Sequence, residues 1–343
     1  MATADADKSL VPFLEAARVL QSSSHQYAAN IHPGWCFGPV AHGGYLVSVV
    51  WEAVRLHFAT TLKQSQQSNA IALHTEFLRR AAPGEAVVHV EDVQLGRRVS
   101  TVGFSLMQGG KKICTGFATH CGSTSKTTPV SLNLGYSQPS APPPVDFEAV
   151  LSGQDKNWIR YDVVQPANAG NLTFKNFIFA YPRQTAQTPA EKRVAQQWMC
   201  PRLPHQRWTT SMLGILLDSA TPPPENFYPS MTFAQRAEED TRLGKKQSRI
   251  HPPWRDERLY TTADTTIDVK RQLPEEGEKW LMLISRTKEV VDGRFDVGAE
   301  VWDAQGRLIA TAYSLWEMIE LPNAPGGGSS GKRKGQGAKL ARL

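Results

Sequence analysis

The stretch AHGGYLVSVVWEAVRLHF, residues 41–58, predicts a helix at the centre of the fold. Its apolar side chains recur at helical spacing on two adjacent faces. A helix that is apolar nearly all round has to be wrapped by other elements. The pair Gly43-Gly44 keeps side chains away from the first turn, so backbone N–H groups stay open at the positive end of the helix dipole. An oxyanion or a polarised carbonyl can bind there.

The overall composition is that of a globular chain with a basic C-terminal segment. The 343 residues allow two domains or one large one, and a hydrophobic content of 41% supports a sizeable core. Five basic residues lie in the last twelve positions, which leaves about +1 of the formal net charge of +6 for the remainder. The positive net charge is therefore a weak argument for nucleic-acid binding, and no nucleic-acid partner is expected.

The spacing of the cysteines and the hydropathy of the chain indicate its redox environment and its targeting. Neither close pairing nor a histidine pattern typical of zinc surrounds the four cysteines, Cys36, Cys114, Cys121 and Cys200. We interpret them as reduced thiols of an intracellular protein, with no metal and no cofactor expected. Residues 1–9 lack the apolar core of a secretory signal. No apolar run approaches the ~18 residues of a membrane span.

Two groups of four strands are predicted, each preceded by an apolar helix. The first group follows residues 41–58 and covers 71–80, 86–95, 99–107 and 111–121. A shorter helix, 210–220, precedes the second group of 260–271, 279–290, 294–302 and 308–318. No connection inside a group is long enough for a crossover helix, so both groups predict antiparallel sheets.

Further segments complete the prediction. The spacing of apolar residues over 9–21 predicts an amphipathic helix, and 25–32, 171–183 and 193–200 are strand candidates. Residues 225–257 are polar and irregular, as in a long excursion. These segments divide the chain into four predicted units: an N-terminal domain 1–122, a Ser/Thr/Pro-rich linker 123–168, a C-terminal domain 169–322 and a disordered basic tail 323–343.

The two halves form an internal repeat that is weak in identity but clear in order. Arg80 to Pro83 can be laid on Arg271 to Pro274, and the same offset lays Thr75 on Thr266. Each half is one buried helix followed by four antiparallel strands. The predicted fold class is α+β, with two antiparallel sheets, each wrapped around a central helix.

These elements resemble the acyl-CoA thioesterase II (TesB-like) double hotdog family over roughly residues 25–320. The residues that carry the resemblance are the helix with its Gly-Gly start, the segment HTEFLRRAAPG at 74–84 and the Gly109-Gly110 turn. The family's catalytic Asp falls on Asp218, and its Thr best matches Thr266, with Thr262 as the alternative. The family's Gln position holds Ser314, which offers one hydroxyl on a shorter arm.

The resemblance implies thioester hydrolysis without a covalent nucleophile. Asp218 would take a proton from a water that Thr266 holds, and backbone N–H groups at a helix start would stabilise the oxyanion. Ser314 either works through a bridging water or marks altered acyl chemistry. The expected substrate-binding residues are His42, Gly43, Gly44 and Tyr45. The alternative for His42 is a residue that only bonds nearby backbone at the start of the helix.

Three functions stay open at this point. The first is hydrolysis of an acyl-CoA or acyl-carrier thioester. The second is a biosynthetic hotdog enzyme that releases, cyclises or isomerises a polyketide or specialised acyl intermediate, and the third is a non-catalytic acyl-binding module. A homodimer is possible. The last three residues, Ala341-Arg342-Leu343, fit a peroxisomal address, with the cytoplasm as the alternative.

Overall fold

The computed structural model of the chain describes residues 10–122, 130–132, 134–137, 142–162, 173–183, 188–227 and 258–320. Its helices are α1 (Phe13–Ala16), α2 (Gly43–Ala59), α3 (Phe147–Leu151), α4 (Pro189–Lys192) and α5 (Leu213–Leu217). The first eight strands are β1 (Val19–Ser23), β2 (Gln26–Ile31), β3 (Cys36–Phe37), β4 (Val40–Ala41), β5 (Asn69–Phe77), β6 (Gly84–Leu95), β7 (Val99–Gln108) and β8 (Lys111–Cys121). The others are β9 (Trp158–Asp162), β10 (Phe177–Pro182), β11 (Val194–Pro201), β12 (Arg258–Val269), β13 (Leu281–Arg286), β14 (Val290–Val291), β15 (Arg294–Trp302) and β16 (Leu308–Glu320).

Helix α2 is wrapped, as its sequence predicts. All but four of its 17 residues are buried, including Val50, Ala53 and Val54. It packs on β1, β2, β5, β6 and β7 of the first half and on α5 of the second. The predicted Gly109-Gly110 turn joins β7 to β8, and both glycines have positive φ, as tight hairpin turns require.

The strands form one continuous antiparallel sheet across both halves. Their order is β1-β2-β6-β7-β8-β5-β12-β16-β15-β13-β11-β10-β9, and β14 pairs with β15. From the middle outwards, β5 corresponds to β12, β8 to β16, β7 to β15 and β6 to β13. The halves are joined through β5 and β12, where Thr75 lies opposite Thr265. The two predicted sheets are therefore present, joined edge to edge.

The two central helices touch through glycine. A Cβ on Gly44 would lie 2.4 Å from the Gly214 carbonyl oxygen, and a Cβ on Gly214 would lie 2.9 Å from the Gly44 carbonyl oxygen. Each helix also binds an N–H group at the start of the other. The Ile215 N–H donates to Ser48 Oγ at 3.2 Å, and the Gly44 N–H donates to Asp218 Oδ2 at 2.6 Å.

The N-terminal prediction is wrong in part. Residues 9–21 do not form one amphipathic helix, because the helix is confined to α1 and the chain then enters β1. Leu14 and Leu20, which contributed to the helical spacing, are 61% and 57% exposed. The backbone of β1 instead pairs with β2, which adds an edge to the sheet.

Two elements that pack with the second half lie inside the predicted linker. Helix α3 and strand β9 lie inside the predicted linker 123–168, and β9 pairs with β10 in the sheet. A second apolar cluster, which includes Val150, Trp158 and Trp280, packs on this outer part of the second half. Most of the predicted excursion and the whole predicted tail, with its peroxisomal address, lie outside the described residues.

Candidate active site

The carboxylate of Asp218 is the point on which the two halves converge. Asp218 immediately follows α5, and its Oδ2 accepts the Gly44 N–H at the start of α2. The Thr262 hydroxyl on β12 donates to Oδ1 at 2.7 Å. The Asp218 side chain keeps 13% of its surface exposed. An acid, a hydroxyl and a helix N-terminus thus share one partly open site.

Buried polar side chains on neighbouring strands hold the turn after α5. The Gln197 amide on β11 donates to the Ser219 carbonyl at 2.9 Å and accepts the Thr221 N–H at 3.0 Å. The Ser285 hydroxyl donates to the Thr221 carbonyl at 2.8 Å. Gln197 is 1% exposed, so these bonds are made away from solvent. They hold the backbone that carries Asp218 in place, and the sequence reasoning missed this role of Gln197.

Gly43 leaves space beside the carboxylate. A Cβ at this position would lie 2.9 Å from Asp218 Oδ2 and 3.3 Å from the Phe77 ring. Within the described part of the chain, the Gly43 N–H makes no hydrogen bond, and it lies in the first turn of a 17-residue helix. This N–H is available to an oxygen that develops negative charge. The Gly44 N–H is used by Asp218, so of the two glycines only Gly43 keeps an open N–H, and its binding of an oxyanion stays a prediction.

His42 is the N-terminal cap of α2 and is nearly fully buried. Its Nδ1 lies 3.1 Å from the Gly44 nitrogen, which donates to it, and 3.2 Å from Asp218 Oδ2. Burial lowers the pKa of His42, and the neighbouring Asp218 carboxylate opposes that shift. The imidazole is therefore neutral near pH 7, stacked on Phe37 with ring centroids 5.1 Å apart. The helix cap is therefore present, and contact of His42 with substrate stays a prediction.

Thr262 reaches Asp218, whereas Thr266 does not. Thr266 is exposed on the outer face of the sheet, where its hydroxyl lies 2.8 Å from His74 Nδ1. A bulge between Thr262 and Asp264 in the pairing of β12 with β16 inserts one extra residue. Strict alternation would put Thr262 and Thr266 on one face, and the bulge turns Thr262 inward. The preferred threonine of the sequence analysis is thus replaced by its alternative.

Ser314 lies close to the site but is bound to another residue. Its hydroxyl donates to Thr265 Oγ1 at 2.9 Å, and both side chains are buried. Thr262 pairs with Trp316 in the sheet, two residues along β16 from Ser314. Two residues of a strand span roughly 7 Å. Ser314 therefore lies on the strand beside the partner of Thr262, while its hydroxyl is bound to Thr265.

Tyr45 is placed away from the carboxylate. It is fully buried, its hydroxyl donates to the Ala16 carbonyl at 2.5 Å, and it accepts the His32 N–H at 3.1 Å. Burial raises its pKa well above the usual value. The structure assigns Tyr45 to packing of the N-terminal segment, which differs from the predicted contact with substrate.

A buried ion pair supports the strand that carries Thr262. The Arg258 guanidinium lies 3.2 Å from the Glu225 carboxylate, and both side chains are at most 5% exposed. The Tyr260 hydroxyl also donates to Glu225, and burial followed by the charge on Glu225 raises the pKa of Tyr260. These contacts connect β12 to the residues just after α5. The polarity of residues 225–257 did not predict that Glu225 is buried.

Three further observations concern parts of the molecule outside this site. A cavity of about 310 Å³ lies elsewhere at the seam of the halves, and Trp51, Ala70 and Leu273 line it, while Asp218 and Thr262 do not. None of the helices that the structure describes has the length and hydropathy to cross a membrane. The four cysteines are free thiols.

Comparison with known proteins identifies the family. The model of the acyl-CoA thioesterase N-terminal domain matches residues 31–121, and that of the C-terminal domain matches residues 141–313. The chain belongs to the acyl-CoA thioesterase family. Both the predicted family and the predicted double hotdog fold are confirmed. The boundaries of the four predicted units stay predictions.

Relatives of this acyl-CoA thioesterase family member match it over 90% of its length or more. The thioesterase-like protein TwmA of Talaromyces wortmannii is 28% identical over 98% of both chains. A hot dog fold protein of unknown function from Alicyclobacillus acidocaldarius superposes with a TM-score of 0.62, at 18% identity over 90% of this chain and 98% of its own. The acyl-CoA thioesterase II TesB2 of Mycobacterium marinum gives a TM-score of 0.55, at 17% identity over 90% and 99%. The two structures establish the fold.

Proposed function

We propose that this protein hydrolyses an acyl thioester, with Asp218 as the general base and Thr262 as its partner. The convergence of the Asp218 carboxylate, the Thr262 hydroxyl and the start of α2 carries the proposal. An ionised carboxylate offers about four acceptor positions, and two are used here. Asp218 therefore retains capacity to accept a proton from a water molecule. The oxygen of Thr262 can accept a hydrogen bond from the same water.

The proposed reaction proceeds in two steps. The water oxygen forms a bond to the thioester carbonyl carbon while Asp218 takes one of its protons, and the carbonyl oxygen becomes an oxyanion. The Gly43 N–H, at the positive end of α2, stabilises this charge. The tetrahedral intermediate then collapses, the carbon–sulfur bond breaks, and the thiolate leaves with the proton that Asp218 held. One water and one thioester give one carboxylic acid and one thiol.

Release of free thiol from a panel of acyl-CoA substrates tests this proposal. Asp218→Asn keeps the side chain's shape and its ability to accept one hydrogen bond but removes the base. We expect kcat/KM to fall at least about 100-fold, because a positioned general base contributes that much or more. Thiol release by the purified wild-type protein no faster than by Asp218→Asn, from every acyl-CoA in the panel, would reject hydrolysis.

The position of Ser314 supports a second candidate, a biosynthetic enzyme acting on a polyketide or other specialised acyl intermediate. The Ser314 hydroxyl is bound to Thr265 and so is not directed to Asp218. A base without the family's amide beside it could instead remove a proton from carbon and lead to isomerisation or cyclisation. Mass spectrometry of the products distinguishes the two, because a rearranged product forms without free thiol.

A further inference from the structure

Three potential metal ligands meet at the end of α2 that is remote from Asp218. His57 lies in the last turn of α2, His25 follows β1 in the turn to β2, and Asp92 lies on β6. A bulge begins at Asp92 in the pairing of β6 with β7. Three separate elements therefore contribute one ligand each. The proposed hydrolysis uses none of them.

The distances suit one ion. His57 Nε2 lies 2.8 Å from Asp92 Oδ1, and His25 Nε2 lies 3.4 Å from Asp92 Oδ2. One ligand atom from each of the three residues lies within 4.8 Å of the others. Metal–ligand bonds of about 2.0–2.2 Å in a tetrahedral site put the ligand atoms roughly 3.3–3.6 Å apart. The three separations, from 2.8 Å to at most 4.8 Å, lie on both sides of that spacing.

The second nitrogen of His57 is already held as metal-bound histidines require. His57 is fully buried, and its Nδ1 lies 3.1 Å from the Ser24 carbonyl oxygen and 2.8 Å from the Tyr27 hydroxyl. When Nδ1 donates to the carbonyl, Nε2 presents a lone pair toward Asp92. Such an outer bond fixes the tautomer and the ring orientation of a ligating histidine. The side chains of His25 and Asp92 are 45% and 27% exposed, which opens the cluster to solvent.

We propose that His25, His57 and Asp92 bind one divalent transition-metal ion of the Zn²⁺ type, with water as the fourth ligand. Two imidazoles and a carboxylate form a ligand set that suits zinc. The ion takes the place of the direct contact between His57 Nε2 and Asp92 Oδ1. It ties the β1–β2 turn and β6 to the end of α2. His57 lies 14 residues beyond Gly43, about 21 Å along a helix, so the ion stabilises the fold and takes no part in hydrolysis.

Titration of the chelator-treated, full-length protein with Zn²⁺ tests the site. Calorimetry is expected to give one ion per chain, and the thermal unfolding temperature should rise with Zn²⁺ because the ion binds the folded state. His25→Ala removes an exposed ligand, and Asp92→Asn keeps the shape of the side chain while weakening it as a ligand. Each should lower Zn²⁺ affinity at least about tenfold. His205→Ala, at an exposed histidine outside the cluster, should leave the affinity unchanged.

Two results would contradict the proposed metal site. Absence of saturable Zn²⁺ binding would show that the three residues form only a hydrogen-bonded cluster. Binding that His25→Ala and Asp92→Asn leave as tight as in the wild type would place the ion elsewhere. Circular dichroism of the metal-free variants establishes that they are folded. Zinc binding is measured without thiol release. The test of the metal site therefore does not depend on whether the protein hydrolyses thioesters.

Discussion

Asp218 and Thr262 are 44 residues apart, and a single extra residue in β12 decides that they meet. The family resemblance located Asp218, because the acid sits at the end of an apolar helix that is visible in the sequence. It favoured Thr266, because the repeat alignment also puts a Thr there. Nothing in the sequence of the strand indicates the bulge that turns Thr262 inward. The cluster of His25, His57 and Asp92 was missed for a related reason, since its members are distant in sequence and match no zinc motif.

Thr262 and Thr266 provide a matched pair for mutation. Thr262→Val removes the hydroxyl that donates to Asp218, and we expect kcat to fall about 10- to 100-fold with stability nearly unchanged. Thr266→Val removes a hydroxyl on the outer face and should leave kcat within about twofold. Steady-state thiol release measures both. The assignment fails if Thr266→Val is the slower enzyme.

His120 gives the folded state a defined pH dependence. It is 1% exposed, stacked on Phe58, and burial lowers its pKa from 6.5 to about 4. Because the unfolded chain takes up the proton first, the stabilisation is complete above pH 6.5 and is lost as the pH falls toward 4. The contribution is roughly 3 kcal/mol.

Urea unfolding at pH 7 and pH 4 measures the contribution of His120 to stability. His120→Phe keeps a ring against Phe58 but cannot take up a proton. Its free energy of unfolding should therefore fall by roughly 3 kcal/mol less than that of the wild type between these two pH values. Equal losses in the two proteins would contradict the assignment to His120.

Some secondary structure elements could be predicted from sequence patterns alone, and others could not. The strands of the first half were predicted nearly to their ends, because Pro83-Gly84 and Gly109-Gly110 mark the turns between them. Helix α2 was predicted because an all-round apolar helix has few alternatives. The pattern over residues 9–21 failed because a short helix and an edge strand happened to share apolar positions. Backbone pairing of β1 with β2 decided the outcome there.

Contact between α2 and α5 depends on Gly44. Gly44→Ala would place a methyl group 2.4 Å from the Gly214 carbonyl oxygen and 2.6 Å from Asp218 Cβ. We expect a loss of about 3 kcal/mol in the free energy of unfolding, because the backbone cannot yield. Gly103→Ala on β7 is the control, since its nearest neighbour would be a Val93 methyl at 3.4 Å. Urea unfolding compares them, and similar stabilities would refute the packing argument.

At the scale of the whole molecule, the repeat has produced two unequal sites. Ser48 corresponds to Asp218, because each accepts an N–H at the start of the opposite helix. Ala70 corresponds to Thr262, because each directly precedes a bulge in the equivalent strand. The second position therefore has neither carboxylate nor threonine hydroxyl. The order of elements in the repeat was visible in the sequence, but only the paired strands and helices established this residue-by-residue correspondence.

One substrate site per chain follows from that asymmetry. A non-hydrolysable thioether analogue of the best acyl-CoA substrate should bind with a stoichiometry of one per chain in calorimetry. The Asp218→Asn variant should bind the analogue with the same stoichiometry, since it keeps the site's shape. Two equivalent binding events per chain would mean that the Ser48 side also accepts substrate.

The glycine contact between the central helices also limits how the molecule can adapt to its substrate. Where two backbones already touch, neither helix can slide or tilt toward the other without collision. Room for a longer or bulkier acyl group has to come from the outer strands and their connecting segments. Variation in chain-length preference among related proteins should therefore be found in those peripheral residues, while the paired helices keep a fixed separation.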